Sequence, residues 1–301
     1  MRVRVLGSAA GGGLPQWNCG CPNCVAVRAG DPRLRARTQD SLGVSADGES
    51  WHLINASPDI LAQIAANPPL HPRHPRHSPI ASIVLTNGDM DHVLGLFSLR
   101  ESWPLVLHAT AAVRAGLEER NAIFRTLKRF PTQVTWRTLV LDRPQALDAE
   151  GHLTITARAQ AGKVPVHLEG LTPPSAEDNV SVWITDTRTG ARVVYLGATS
   201  SAEGLAEALA GVECAFFDGT FWSSDELVKL GLSKARAEDM AHLPIGGEAG
   251  SLRRLAGLDV KRRIYTHINN SNPILVEGSP EARAVLDAGW EIATDGMELT
   301  L

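Results

Sequence analysis

The chain has 301 residues, of which 44% are hydrophobic and 21% are charged, and its formal net charge is −4. A chain of this length can bury a full core, so its length favours one large domain or two intimately packed halves, and we predict a single domain over residues 1–301. The near-neutral charge gives no electrostatic reason to expect nucleic acid or a membrane surface as a partner. The composition therefore favours a small-molecule partner.

The N-terminal residues show no targeting pattern. Residues 1–7 alternate as a first strand, without the long apolar run or the small-residue cleavage site of a signal peptide. No segment is apolar enough to span a bilayer. We expect a soluble, cytoplasmic protein, and in that compartment thiols stay reduced.

Three of the four cysteines, Cys19, Cys21 and Cys24, lie within six residues. Clustered cysteines in a reduced cytosolic chain indicate a metal site more than a solvent-facing loop, which is the alternative. A structural zinc ion prefers a closed tetrahedral shell of sulfur and nitrogen ligands. We predict a zinc knot at residues 19–24, with a distant fourth ligand for which His267, Asn270 or another distant polar group is a candidate.

A proline- and histidine-rich segment covers residues 68–79. Its prolines prevent regular secondary structure. We predict an exposed connector whose histidines are solvated rather than bound to a metal.

The most informative segment runs from Thr86 to His92, where an apolar strand ends and a helical pattern begins. Strand ends are where α/β proteins place their chemistry. The carboxylates of Asp89 and Asp91 repel each other on one tight turn, but together with His92 they converge readily on a cation. The turn is therefore predicted to bind a metal.

This turn resembles the metallo-β-lactamase superfamily signature His-x-His-x-Asp-His. Asn87 and Asp89 stand where that signature has its two leading histidines. Gly197 also follows a predicted strand where the superfamily usually has a bridging aspartate. A two-zinc hydrolase needs ligands for both ions, so these departures argue against a binuclear hydrolytic centre and favour a single ion.

The resemblance also implies the remaining ligand. His267 follows the strand 263–266 and fits the final metal ligand of the superfamily. With Asp91 and His92 it completes a set of two histidines and one carboxylate, which on non-haem Fe(II) leaves positions open for O₂ and substrate. Asp89 is either a fourth ligand or a group that orients His92.

Two later loops add candidates for proton transfer and substrate binding. His242 precedes a glycine pair and resembles the late histidine with which superfamily members approach the reacting group, so His242 or Asp89 is predicted to move protons. Asp218, Thr220 and Trp222 follow the strand 215–217 with the composition of a pocket wall for a planar substrate. A turn ordered by Asp218 beside core aromatic residues is the equal alternative.

Strand and helix patterns alternate through both halves of the chain. Strands are predicted over 105–109, 153–159, 180–186, 193–196 and 214–217. This order suits two sheets packed face to face with helices outside. The superfamily resemblance implies the same α/β class, an αββα sandwich of two mixed sheets.

Longer blocks resemble one family within this superfamily over essentially the whole chain, namely residues 5–13, 15–19, 57–61, 218–222, 267–270 and 295–298. That family takes part in the biosynthesis of pyrroloquinoline quinone (PQQ). The resemblance implies a cysteine-bound structural zinc and a role in making the quinone from a peptide-derived glutamate and tyrosine.

Two functions of different classes follow from the resemblance. The first is an Fe(II)- and O₂-dependent hydroxylase that acts on the tyrosine ring of a Glu/Tyr-derived precursor. The second is a binding or carrier protein that holds PQQ or its precursor and assists its transport to the periplasm, which would require a membrane partner. An ordinary zinc hydrolase is disfavoured by the missing ligands. The candidate protein partners are a second copy of the chain and other PQQ-biosynthesis proteins.

Overall fold

The computed structural model describes residues 1–301. Its strands are β1 (Arg2–Gly7), β2 (Ser41–Ser45), β3 (Trp51–Ile54), β4 (Ile80–Val84), β5 (Leu105–Ala109), β6 (Val134–Thr138), β7 (Gln145–Ala146), β8 (Leu153–Ala159), β9 (Val180–Asp186), β10 (Arg192–Leu196), β11 (Val212–Asp218), β12 (Val260–Thr266), β13 (Glu291–Ile292) and β14 (Glu298–Thr300). Its α-helices are α1 (Pro22–Arg28), α2 (Ile60–Ala66), α3 (Met90–Val93), α4 (Ala111–Glu118), α5 (Leu205–Ala208), α6 (Glu226–Lys229), α7 (Ser251–Arg254) and α8 (Pro280–Asp287). Short 3₁₀ helices cover Pro68–Leu70, Leu94–Leu99, Ala122–Lys128, Val166–Leu168, Glu238–Met240 and Pro273–Leu275.

The chain divides into two compact units. The first unit comprises Met1–Gly7, Asp40–Arg192 and Gly296–Leu301, and the second comprises Ser8–Gln39 and Val193–Asp295. The strands form two mixed sheets of seven strands each, which is the predicted arrangement of sheets and helices. The expectation of one domain over residues 1–301 stays a prediction.

The first unit contains one complete sheet, in the order β14-β1-β2-β3-β4-β5-β6. Strands β14 to β3 pair antiparallel, and β3 to β6 pair parallel. Three further strands of this unit, β7, β8 and β9, pair antiparallel with one another. The parallel half matters for the site, because it brings the carboxyl ends of β3, β4 and β5 to one edge of the sheet.

One face of this sheet is covered by α2, α4 and the 3₁₀ helix at Ala122–Lys128. Their apolar side chains pack with those of β3, β4 and β5 in one buried cluster that includes Leu53, Ile83, Leu107 and Phe124. The burial of these apolar surfaces is the main favourable contribution to the stability of such a layer.

The second unit contains the parallel strands β10, β11, β12 and β13. Its core holds a stack of Tyr265 on Trp290, with ring centroids 4.3 Å apart, and Phe217 packs edge-on against both rings. Because β11 and β12 are parallel neighbours, Asp218 pairs with Thr266 at the same edge. The loops that follow these two strands therefore start side by side.

The predicted connector at residues 68–79 has only the short 3₁₀ turn at Pro68–Leu70. Residues 71–76 are exposed, as expected. None of the helices combines the length and the hydropathy that a bilayer span requires.

Two buried histidines of the first sheet generate a prediction about acid stability. His108 lies on β5, and its Nε2 atom is buried without a hydrogen-bond partner. Burial, with smaller effects from His52 and Arg137, lowers the pKa of His108 to about 4, and burial also lowers the pKa of His52. These groups are therefore neutral in the folded chain at a pH where the unfolded chain begins to protonate them.

We expect the free energy of unfolding to fall as the pH is lowered from the unfolded histidine value of about 6.5 toward the folded value of about 4. His108 contributes at most about 3 kcal/mol to this loss. Urea denaturation across this pH range should show a flatter dependence for His108→Leu than for the wild type. His71→Leu, on the exposed connector, is the matched control, and a His108→Leu curve parallel to the control would contradict the assignment.

Candidate functional site

The turn of the first unit that is predicted to bind a metal is built on the end of β3. Asn55, directly after β3, has a left-handed backbone with φ 63° and is fully buried. Its Oδ1 atom accepts hydrogen bonds from the backbone N–H of Thr86 at 3.1 Å and from the Thr86 hydroxyl at 3.0 Å. The backbone N–H of Ala56 donates to the carbonyl of His92 at 2.7 Å. The segment after β3 therefore holds both ends of the turn.

A glycine closes this arrangement. The N–H of Gly95 donates to the carbonyl of Ala56 at 2.9 Å. A Cβ atom at position 95 would collide with the carbonyl oxygens of Ala56 and Ser57. Only glycine allows the two backbones to approach this closely, so the short 3₁₀ helix after the turn is fixed against the end of β3.

The turn brings Asp91 and His92 together, and their predicted role as metal ligands stays a prediction. His92 is 1% exposed, and its Nε2 lies 3.8 Å from Asp91 Oδ2. The group at its Nδ1 atom is the amide oxygen of Asn87, 2.8 Å away. From the sequence, Asp89 was a candidate for the group that orients His92, and Asn87 was noted only as the replacement of a histidine ligand. The roles predicted for Asp89, as ligand or proton carrier, stay predictions.

In the second unit, Asp218, His242 and His267 bring their ligand atoms within 4.8 Å of one another. Asp218 is fully buried, and His242 Nδ1 lies 2.7 Å from its Oδ2 atom. Backbone N–H groups of Thr199 and Thr220 donate to the two carboxylate oxygens at 2.9 and 3.0 Å. Burial alone would raise the pKa of Asp218, but His242, His267 and the hydroxyl of Thr220 together hold it below its usual value.

Thr220 connects Asp218 to His267. Its hydroxyl donates to Asp218 Oδ1 at 2.6 Å and lies 2.9 Å from His267 Nδ1. A hydroxyl has one proton, and the charged carboxylate at the shorter distance takes it. The Thr220 oxygen is then an acceptor for the N–H at Nδ1 of His267, which leaves Nε2 of that ring with its lone pair.

The backbone of His267 is also constrained. Its φ of 54° lies in the left-handed region, which non-glycine residues seldom adopt. The ring stacks on His242 with centroids 5.6 Å apart. Backbone strain of this kind persists where the surroundings enforce it, and it is enriched at functional sites.

The three residues predicted to bind substrate lie in different surroundings. Asp218 and Thr220 are 0% and 3% exposed and are engaged with the two histidines, so they order the turn after β11. Trp222 lies against Gly246, where a Cβ atom would meet the indole ring. It lines a hollow of about 470 Å³ with Gly246, Gly247, Glu248, Leu252 and Arg253. The substrate-binding role of these residues stays a prediction.

The missing bridging aspartate has a local explanation. A Cβ atom on Gly197 would collide with the hydroxyl of Tyr195, which is 2% exposed. A larger side chain at position 197 therefore requires the phenol ring to move. The space next to this strand end is already filled, and this disfavours a second ion of the hydrolase type.

The cysteine knot lies at the start of α1. The sulfur atoms of Cys19, Cys21 and Cys24 are within 4.8 Å of one another. The terminal nitrogen of the Asn270 amide contacts them at 3.2, 3.4 and 3.3 Å, respectively. Burial raises the pKa of Cys21 to about 11. Because thiolates are the metal ligands, cation binding here should release protons.

The donor set fits zinc. The Asn270 amide lies about equally far from the three sulfur atoms, where a fourth ligand to one ion could lie. Amide oxygen and nitrogen are distinguished only by their partners, so a cation between the thiolates would turn the oxygen inward. The Asn23 amide donates to the carbonyls of Asn270 and Asn272 at 3.0 and 2.9 Å, which fixes this loop. Among the candidates named for the fourth ligand, the Asn270 amide contacts all three sulfur atoms.

A buried acid supports the same loop. Glu226 accepts hydrogen bonds from the Ser271 hydroxyl and, at 2.7 Å, from the backbone N–H of Trp222. Burial raises the pKa of Glu226 to about 7. The sequence pattern gave no sign of this residue, because the contact joins positions far apart in the chain.

Comparisons with known proteins define the class of protein. Residues 50–268 match the model of the β-lactamase superfamily domain. The chain matches a crystal structure of Zn²⁺-bound PqqB from Methylobacterium extorquens with a TM-score of 0.92 and 40% sequence identity, over 100% of both chains. The fold is that of the β-lactamase superfamily, and the predicted sandwich of two mixed sheets is confirmed.

Two relatives narrow this class to one family. The chain is 45% identical to coenzyme PQQ synthesis protein B of Methylobacterium sp. (strain 4-46) over 304 residues, which cover 100% of both chains. It is 46% identical over 303 residues to the protein of the same name from Rhizobium meliloti (strain 1021), covering 100% of this chain and 98% of the relative. The chain belongs to the coenzyme PQQ synthesis protein B family, as its sequence blocks predicted.

Proposed function

We propose that the chain acts in PQQ biosynthesis as an Fe(II)- and O₂-dependent hydroxylase of the tyrosine ring in a Glu/Tyr-derived precursor. Membership of the coenzyme PQQ synthesis protein B family supports the pathway. The observation that carries the reaction is the set of ligands that the turn retains. Asp91 and the fixed imidazole of His92 are present, whereas the ligands of a second hydrolytic ion are absent.

The proposed iron ligands are Asp91, His92 and His267. A set of two imidazoles and one carboxylate is typical of non-haem Fe(II) oxygenases. In each histidine the Nδ1 atom has a hydrogen-bond partner within its own unit, Asn87 for His92 and Thr220 for His267. This arrangement leaves Nε2 of both rings as the ligand atom. When bound, iron would supply the activation of O₂ that side chains cannot perform.

His242 is the proposed proton carrier. Asp218 accepts the N–H at Nδ1 of His242 at 2.7 Å, so Nε2 is the nitrogen of this ring that can take up a proton and release it again. The ring is partly exposed, with 14% of its side chain accessible, whereas Asp218 is completely buried. His242 is therefore more accessible to the surroundings than the carboxylate that orients it. Asp89 is the second predicted proton carrier.

The proposed reaction replaces one aromatic C–H bond of the tyrosine ring with a C–OH bond. One atom of O₂ enters the new hydroxyl group, and the other leaves as water. The balance requires two electrons from an external reductant and two protons. A hydrolase is disfavoured, because Asn87 and Asp89 replace two histidines and because Tyr195 occupies the space beside Gly197.

The expected effect of His92→Ala or Asp91→Ala is a loss of hydroxylation by more than about 100-fold with the fold retained, because each variant removes a proposed ligand. The assay uses the iron-reconstituted protein, a synthetic Glu/Tyr-derived dipeptide, O₂ and ascorbate as the reductant. Mass spectrometry detects product with one added oxygen atom, and circular dichroism checks the fold. His74→Ala, on the exposed connector, is the control and should keep wild-type turnover.

Unchanged product formation in the His92 and Asp91 variants would contradict the hydroxylase. Binding of PQQ or the dipeptide without any oxygenated product, in the wild type and in both variants, would favour a carrier role instead. The two functional classes thus give different results in the same set of samples.

For the cysteine knot we propose a structural zinc ion held by Cys19, Cys21, Cys24 and the amide oxygen of Asn270. Three thiolates suit zinc in a closed tetrahedral site. The position of the Asn270 amide, about equally far from all three sulfur atoms, supports its role as the fourth ligand.

Asn270→Leu should weaken zinc binding by at least about 10-fold, because it removes an oxygen ligand and keeps the size of the side chain. Asn270→Asp should retain zinc, since a carboxylate oxygen is an equivalent ligand. Competition with a chromogenic zinc chelator measures both affinities. Asn121→Leu, directly before the 3₁₀ helix Ala122–Lys128 of the first unit, serves as the control. Equal zinc affinity in Asn270→Leu and the wild type would exclude the amide as a ligand.

A further inference from the structure

We propose that Asn87 is a positioning residue that sets the tautomer of His92. Its amide oxygen holds the proton at Nδ1, and this directs the lone pair of Nε2 to the metal. The inference rests on the proposed metal-binding role of His92. Asn87 would thus have a role of its own, although the superfamily signature has a histidine at this position.

The orientation of the Asn87 amide follows from a backbone donor. Asn87 Oδ1 lies 3.0 Å from the backbone nitrogen of Asp89. A backbone N–H can only donate, so the amide atom that faces it is the oxygen. With the amide reversed, two N–H groups would face each other in a buried position.

The protonation of His92 follows from that orientation. The same Oδ1 atom lies 2.8 Å from His92 Nδ1. Because the oxygen can only accept, the ring must carry its proton at Nδ1. In a neutral imidazole the other nitrogen then has the lone pair, and Nε2 is the atom able to bind a cation.

The second polar neighbour of Nδ1 does not compete. The hydroxyl of Thr86 lies 3.4 Å from Nδ1 and donates to Asn55 Oδ1 at 3.0 Å. Its proton is thus directed away from the ring. The contact of His92 Nδ1 with Asn87 Oδ1 is the shorter of the two. Because this oxygen can only accept, this contact alone requires a proton at Nδ1.

Asn87 is itself rigidly placed. It is 2% exposed, and its backbone forms an antiparallel bridge with Asn179. Next to it, the N–H of Val180 donates to the carbonyl of Thr86 at 2.9 Å. The turn is therefore held on one side by β9 and on the other side by the segment after β3. The amide can act as a fixed acceptor because its backbone is held on both sides.

This role resembles that of the outer groups which orient metal-bound histidines in many proteins. Such groups accept the N–H of the ring nitrogen that does not bind the metal, and their loss commonly weakens metal binding by about 10- to 100-fold. In this chain the exchange of an imidazole for an amide at position 87 removes one ligand and orients another.

The test is the tautomer of His92 in protein with an empty iron site. Long-range ¹H–¹⁵N correlation spectra of the histidine-labelled protein distinguish Nδ1–H from Nε2–H, and His92→Gln assigns the signal. We expect Nδ1–H in the wild type and in Asn87→Asp, because both residues offer an oxygen acceptor. Asn87→Leu should populate Nε2–H. Thr86→Val removes the longer contact and the hydroxyl donor to Asn55, but it keeps the backbone N–H that also donates to Asn55. It is the matched control and should keep Nδ1–H.

An Nε2–H signal in the wild type would overturn the proposal, as would an unchanged Nδ1–H signal in a folded Asn87→Leu variant. Should Asn87→Leu fail to fold, the wild type and Asn87→Asp still decide the question, since loss of Nδ1–H in either sample contradicts the proposal.

The second readout is the Fe(II) dissociation constant, measured anaerobically by chelator competition. Asn87→Leu should raise it by about 10- to 100-fold, and Asn87→Asp should restore the wild-type value. The tautomer is read without iron, substrate or turnover, so a failed hydroxylation assay leaves it unaffected. A correct tautomer with no Fe(II) binding in the wild type would reject the proposed function alone.

Discussion

The candidate site depends on buried hydrogen-bond acceptors placed at the carboxyl ends of parallel strands. In the first unit Asn55 accepts both donors of Thr86, and in the second unit Asp218 accepts from two backbone N–H groups, a hydroxyl and an imidazole. A buried acceptor that loses its donors costs about 1–3 kcal/mol. Each loop is therefore held in one arrangement, and the imidazole rings that it carries keep one orientation.

The two proposed metal sites offer different ligand atoms, and this difference determines which metal each site suits. The cysteine knot offers three soft sulfur ligands in a closed shell, which suits a structural zinc ion. The turn at Asp91 and His92 offers oxygen and nitrogen ligands on an edge where substrates bind in α/β folds. The proposed iron chemistry requires open positions, which the replacement of two superfamily histidines by Asn87 and Asp89 would provide. Under the proposed function, the same fold would then carry out a different reaction.

Much of this architecture is readable from local sequence. The strands at 105–109, 153–159 and 180–186 have the predicted bounds, because strand patterning is a local property. The prediction of a helix after His92 was less accurate, because α3 ends at Val93 and a 3₁₀ helix follows. Contact between Gly95 and the segment after β3 determines that change, and a contact between distant parts of the chain leaves no periodic signal.

The candidate site was also predictable only in part. Local sequence identified candidate site residues in the turn, in the cysteine knot and in the loops after β11 and β12. The sequence did not reveal that Asn87 contacts His92, that Tyr195 fills the space at Gly197, or that Glu226 supports the loop of Asn270. These contacts depend on side-chain packing in three dimensions, and no spacing rule predicts them. For the same reason the sequence left the fourth zinc ligand open.

Elemental analysis can show whether this chain holds two metals at separate sites. The protein would be purified without oxygen, reconstituted with iron and compared with its His92→Ala and Cys21→Ala variants. We expect stoichiometric zinc that is lost only in Cys21→Ala, and iron that is lost only in His92→Ala. Zinc alone in the wild type, with no dependence on His92, would contradict this expectation.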